Sequence, residues 1–299
     1  MDTRRKEIAY KVFLVLLAGA VVGKFVFVLK DTGNFHTAAL YVGVPTLLAL
    51  FLGYGARGTT SVTARGIKWT AIALLLSMPV FGAGIVCVVM AAPIIFGIVA
   101  MICKGFEDAY RRGGKARISI VIPILAILSF EGTTEFTTVD RLEVVSVERI
   151  VSAGAAEVEE QLAAKVSFDR PLPWFLRLFP KIVDTGGAGL DPGDRRSVRL
   201  VGERFYETID GSVVFEVVER WANKVRFVPV QDDTMIARWL TWRYSEVAWQ
   251  AVDERHTRVT WTLAFERRLD PFWYFGPLER FGVSKAAEAL IDNVARPRN

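Results

Sequence analysis

Cysteine and histidine are almost missing. The 299-residue chain has two of each. Cys87 and Cys103 both lie inside apolar runs, where a free thiol behaves as a small hydrophobe. That removes a disulfide framework and any cysteine–histidine spacing for a metal. His36 falls in a short polar loop and His256 in the turn VDERHTR. Both read as solvated, so neither a Ser-His-acid nor a Cys-His arrangement can be built. HExxH is absent, and the glycine-rich DTGGAGLDPGD lacks the Lys-Ser/Thr that completes a phosphate loop, so it reads as a surface turn. No cofactor and no metal are expected.

Charge is scarce too, but only in one half. Residues 1–139 hold 14 Lys+Arg and 7 Asp+Glu, whereas residues 140–299 hold 23 and 25. The net charges are +7 and −2, so the sequence pI of 9.2 belongs to the first half. Its basic residues sit between hydrophobic runs rather than on one soluble face, which excludes a nucleic-acid partner.

Long apolar runs fill that first half, in a chain that is 52% hydrophobic overall. A spanning helix needs about 20 apolar residues. Residues 8–29 supply one span and 38–54 a second. The run from Ile67 to Cys103 is charge-free except for Lys68. As one helix it would be about 55 Å long, nearly twice the hydrocarbon core, so it must fold back near Pro79, Gly82 and Gly84. This gives spans at 67–82 and 85–103. Lys and Arg cluster in the N-terminal tail and in loops 55–66 and 104–117, which places those segments and the N-terminus in the cytoplasm. Lys24, near the outer end of its span, snorkels. The 13-residue ISIVIPILAILSF (118–130) reads as the core of a short fifth span, 117–136, accommodated by local thinning. That span would make the C-terminal half extracytoplasmic; a re-entrant segment would leave it in the cytoplasm. The cell membrane is thus the expected location.

From Asp140 the period changes. RLEVVSVERIV reads as a strand. A short helix follows over 153–164, with Ser152 as its cap, and then a proline-bounded segment with a second short helix around 174–178. Strands follow at about 195–202, 212–221, 224–230, 237–251 and 256–268. The chain ends in a helix whose stripe includes Leu278, Phe281, Val283, Ala286, Ala287, Leu290, Ile291 and Val294 at helical spacing. A curved antiparallel sheet and an amphipathic helix bury their apolar faces by packing on each other. The fold class expected is therefore an α-helical transmembrane bundle (1–136) followed by an α+β domain (140–299) in which the sheet wraps a long C-terminal helix.

The segments FDRPLPWF, DPGDRRSV, WRYSEVAWQAVDERHTRVTWTLAFERRLDPFWYFGPLERFG and AAEALID resemble the SRPBCC superfamily, the START-related helix-grip fold with polyketide cyclase/dehydrase-like members. The whole chain resembles bacterial multi-span membrane proteins that carry such a domain. The resemblance covers roughly 140–297 and implies a hydrophobic cavity between sheet and helix. It implies no single chemistry, because the superfamily includes binders, carriers and enzymes.

Candidate cavity residues come from strand alternation. Phe215, Glu219 and Trp221 share one face of strand 212–221. Arg243, Ser245 and Trp249 share one face of strand 237–251, and strand register sets them beside Trp261, Leu263 and Phe265. Phe281 comes from the helix. Aromatics either line pockets for bulky ligands or fill cores. Arg243 either pairs with Glu219 or meets a ligand carboxylate or head group. RPLPWFLRLF, with Trp174 and Phe175, is a cavity lid, a membrane-touching patch or ordinary packing. The expected function is a membrane-anchored binder or carrier of a lipid or isoprenoid-like ligand; the rivals are a cyclase, dehydratase or hydrolase-type enzyme and a non-catalytic interaction module. Nothing in the sequence sets the oligomeric state.

Overall fold

The computed structural model describes residues 47–48, 61–81, 85–112, 124–132, 135–204 and 207–295. The spans read at 8–29 and 38–54 lie almost wholly outside them. The chain divides into two compact units: Met1–Val139 with Asp270–Tyr274, and Asp140–Leu269 with Phe275–Asn299.

In the first unit, helices α1 (Val62–Phe81) and α2 (Ile85–Arg112) pack together. Val62, Ile98, Val99, Ile102 and Cys103 are buried between them. Gly66 makes the contact possible: a Cβ there would fall 2.6 Å from the Cys103 sulfur and 3.2 Å from Val99. Thr63 donates to the Glu107 carboxylate at 3.0 Å. Helix α2 contains Pro93 and runs nine residues past the expected end of its span, to Arg112. Among the described residues one stretch, the 21-residue Val88–Asp108, is long and apolar enough to cross a membrane; at 1.5 Å per residue it is about 32 Å long. Residues 124–128 are helical and 129–132 form a turn, so the helix does not continue into GTTEF. The Ser129 hydroxyl donates back to the Ala126 carbonyl at 2.6 Å.

The second unit is built on one seven-stranded sheet: β1 Leu142–Val151, β2 Lys181–Gly186, β3 Arg195–Arg204, β4 Glu207–Trp221, β5 Lys224–Asp232, β6 Leu240–Ala251 and β7 Thr257–Arg267. Its order is β1-β7-β6-β5-β4-β3-β2, antiparallel at every pairing. Strands β2 to β7 thus form a continuous meander, and β1 returns to pair with β7. The short helix α3 (Ala155–Ala163) follows β1, and helix α4 (Phe272–Leu290) follows β7, ending in a π turn over Ile291–Ala295. The cap of α3 is Gly154, without a side-chain bond, rather than Ser152. Strand β2 was not expected. The second short helix is a single 3-10 turn, Leu176–Leu178.

The inner face of the sheet receives α3 and the C-terminal helix. Ion pairs between Arg280 and Glu143 (3.0 Å), Arg149 and Glu288 (3.0 Å), and Arg149 and Asp292 (3.1 Å) tie that helix to the β1 side. The result is a curled antiparallel sheet closed around a C-terminal helix, a helix-grip arrangement.

Candidate functional site

What faces the helix is decided by strand parity. Arg196, Val198 and Leu200 point inward from β3, and Val213 and Phe215 from β4. Phe227, Ser245, Trp261 and Leu263 continue the same surface across β5, β6 and β7. Opposite them the C-terminal helix presents Ala286, Ala289 and Leu290. Two alanines do not reach the sheet, and a cavity of about 210 Å³ remains. That is small beside the roughly 300–1,000 Å³ typical of small-molecule pockets. Phe168, Leu176 and Phe179, from the proline-bounded segment, form a side wall. Phe175 is held against Phe281 with ring centroids 5.2 Å apart. Trp174 and Leu178 of the same segment are exposed.

Of the residues expected from sequence, the structure brings Phe215, Ser245, Trp261 and Leu263 together around this cavity. Trp249 and Phe265 are inward but wholly buried in solid core. Arg243, Glu219, Trp221 and Phe281 do not line it. Arg243 fails because β6 carries a bulge between Trp242 and Tyr244. The extra residue breaks the alternation, so Trp242 faces the cavity while Arg243 points outward and pairs with Glu266 of β7. A second bulge lies between Val217 and Glu219. It turns Glu219 and Trp221 to the outer face, where Glu219 pairs with Arg226 at 3.0 Å and the Lys224 ammonium sits 4.1 Å from the Trp221 ring centroid. The expected Glu219–Arg243 pair therefore does not form; each has another partner. Phe281 is 41% exposed, on the flank of the helix.

Few polar groups reach the cavity. The indole N–H of Trp261 donates to the Ser245 hydroxyl at 2.9 Å. The Thr234 hydroxyl is engaged with Asp232 Oδ1 at 2.7 Å. Burial holds the Asp232 carboxyl above its ordinary value, against the hydrogen bonds from Thr234, and its second oxygen has no hydrogen-bond partner. The charged group in the lining is Arg196, which the sequence reading missed. It is only 7% exposed. Its Nη2 donates to the Leu162 carbonyl and, at 2.7 Å, to the Gly189 carbonyl. Gly189 has a φ of +96°, and a Cβ there would strike the Asp194 carboxylate at 2.0 Å, so glycine is required. The guanidinium also lies 5.4 Å from the Phe227 ring centroid. Burial pulls its pKa down to about 10, with Asp194 opposing the shift; it is still a cation at neutral pH. The pattern Arg196-Val198-Leu200 was the available signal, because alternation puts this arginine at the end of an apolar face.

Among the described lining residues there is no histidine, cysteine, carboxylate, lysine or tyrosine. Among the described residues no three His, Cys, Asp or Glu side chains are grouped to hold a metal.

No protein-family model and no curated protein matches the chain. Solved structures similar to its C-terminal half include a START superfamily protein from Mycobacterium smegmatis, at 17% identity, covering 50% of this chain and 96% of that one, with a TM-score of 0.35. The Zhui aromatase/cyclase from Streptomyces sp. R1128 is 17% identical over 50% of this chain and 85% of its own, with a TM-score of 0.29. Norcoclaurine synthase from Thalictrum flavum is 10% identical over 51% and 86%, with a TM-score of 0.33. These are likenesses of fold alone.

Proposed function

We propose that the protein is a membrane-anchored binder or carrier of a hydrophobic ligand, held between the sheet and the C-terminal helix. One observation carries this reading: an apolar cavity walled by Phe215, Phe227, Trp242, Trp261 and Leu263 is left open where the helix offers Ala286 and Ala289. Binding is driven by burial of apolar surface, at about 25 cal/mol per Å². The enzyme reading stays the rival; among the described lining residues no histidine, carboxylate, lysine or cysteine stands ready to exchange a proton near neutral pH.

The first half serves as the anchor. Its four spans are 8–29, 38–54, 67–82 and 85–103, with the N-terminus in the cytoplasm; the fifth, expected at 117–136, is helical no further than residue 128, where the turn over 129–132 begins. The apolar stretch Val88–Asp108 and the packed pair α1–α2 support this reading. Tethering keeps the binding half at high effective concentration near membrane-derived ligands. With five spans, that half is extracytoplasmic.

Native mass spectrometry of the detergent-purified full chain, after incubation with lipid extracts, tests the binding. Wild type should retain a defined hydrophobic species, and Leu263→Trp, which fills the cavity, should lose it. Recovery of no specific species from several extracts overturns the reading. Protease protection at the C-terminus tests the topology: cleavage from the cytoplasmic side removes the fifth span.

A further inference from the structure

We infer that Arg196 is the head-group site of this cavity, and that the ligand is a single-chain amphiphile ending in an oxyanion, a carboxylate or a phosphate. The inference rests on the binding role proposed above and narrows its ligand class.

Arg196 has hydrogen-bonding valence left unfilled. A guanidinium carries five N–H donors and cannot give up its charge near neutral pH. Arg196 commits only Nη2, to two backbone carbonyls. Its Nε–H is buried without an acceptor, and Nη1 meets none among the described residues. Among the described residues no carboxylate lies within ion-pair distance, although Asp194 is near enough to favour the charged form and the residue is more than nine-tenths buried. Buried charges are almost always paired, because an unpaired one is costly. Arg220 takes Glu159, Arg226 takes Glu219 and Glu246, and the buried Arg267 has Glu143 at 4.0 Å. Arg196 stands instead at the rim of an apolar space with spare donors. Carbonyl contacts and the Phe227 ring hold the cation in position but do not neutralise it. An anionic head on an apolar tail satisfies both halves of the site, the head at Arg196 and the tail along Phe215 and Leu263.

The test uses the full chain in a non-ionic detergent and three C12 probes: dodecanoate, dodecyl phosphate and dodecanol. Binding is followed by the fluorescence of Trp242 and Trp261, which line the cavity, against the Leu263→Trp background. At least one anion should bind wild type about 10-fold or more tightly than dodecanol, and the better of the two names the head group. Arg196→Gln should lose most of that preference and leave dodecanol within about twofold, and Arg196→Lys should keep part of it. Equal binding of the three probes to wild type overturns the inference but leaves the cavity reading intact, and this comparison needs no variant. An Arg196→Gln protein of unchanged far-UV circular dichroism that retains the preference also overturns it. If wild type binds none of the probes, both this inference and the binding role fall.

Discussion

The two ends of one sheet face make the instructive comparison. Under helix α3, Trp249, Val225 and Val259 meet Val158 and Leu162 in a core without gaps. A few residues further along the same strands, Trp242, Trp261 and Leu263 border empty volume. The residue types are the same on both sides. The difference is the cover: α3 and the large side chains of the helix close one end, while Ala286 and Ala289 span the other. Chemical composition therefore does not mark the hollow end. A local shortage of side-chain volume does, in an interior that is otherwise close-packed.

Truncation should break the symmetry most strongly. Trp249→Ala removes a wholly buried ring stacked 4.9 Å from the Arg220 guanidinium and should cost about 3–5 kcal/mol, the usual range for such changes. Trp242→Ala, whose ring already faces open space, should cost about 1–2 kcal/mol. Thermal midpoints of the full chain read both, and equal losses would erase the distinction between a packed and a hollow end.

Next in size is Ser245→Ala. It leaves the Trp261 indole N–H without its acceptor, at a cost of about 1–2 kcal/mol. An unchanged midpoint would mean that another acceptor replaces the hydroxyl. A smaller effect is expected from acidity at the hollow end. Burial raises the Asp232 carboxyl above its ordinary value of 3.8. An acid that holds its proton better folded than unfolded contributes stability below the ordinary value, and this is lost as pH rises through the raised one. Asp232→Asn escapes that loss. Its midpoint, relative to wild type, should climb across this window and level off above it; a flat difference rejects the shift. Smallest of all is Arg243→Ala, which breaks an exposed pair with Glu266 and should cost under about 1 kcal/mol with no change in ligand retention. Lost retention would put Arg243 back inside and remove the bulge from β6.

The same comparison shows where sequence reading succeeds and where it stops. Alternation in β7 is regular, so it sets Trp261 and Leu263 on the inner face directly. The period of the C-terminal stripe foretold Val283, Ala287, Ile291 and Val294, all buried. Strand β2 escaped because KIVDTG is six residues long, lies at the sheet edge and runs into glycines. Parity failed for Arg243, Glu219 and Trp221 because a bulge is a property of pairing between strands, and no side-chain period announces it. The strand at 195–202 is legible in the sequence, but an arginine at the very start of it, in DRRSV, reads as a solvated strand end, so Arg196 is not among the candidates. The cavity depends on which small residues of the helix meet which strand, so it became visible only with the register.

The bulge in β6 acts like a spare letter in a reading frame. Two neighbours, Arg243 and Tyr244, lie between the inward Trp242 and Ser245. Deleting either would restore plain alternation and leave the cavity wall facing as it does now. Deleting one residue from the regular stretch 245–249 would turn one side of the strand inside out and bring Glu246 toward the apolar space. The strand can therefore change length at one joint without rewriting the surface that lines the cavity.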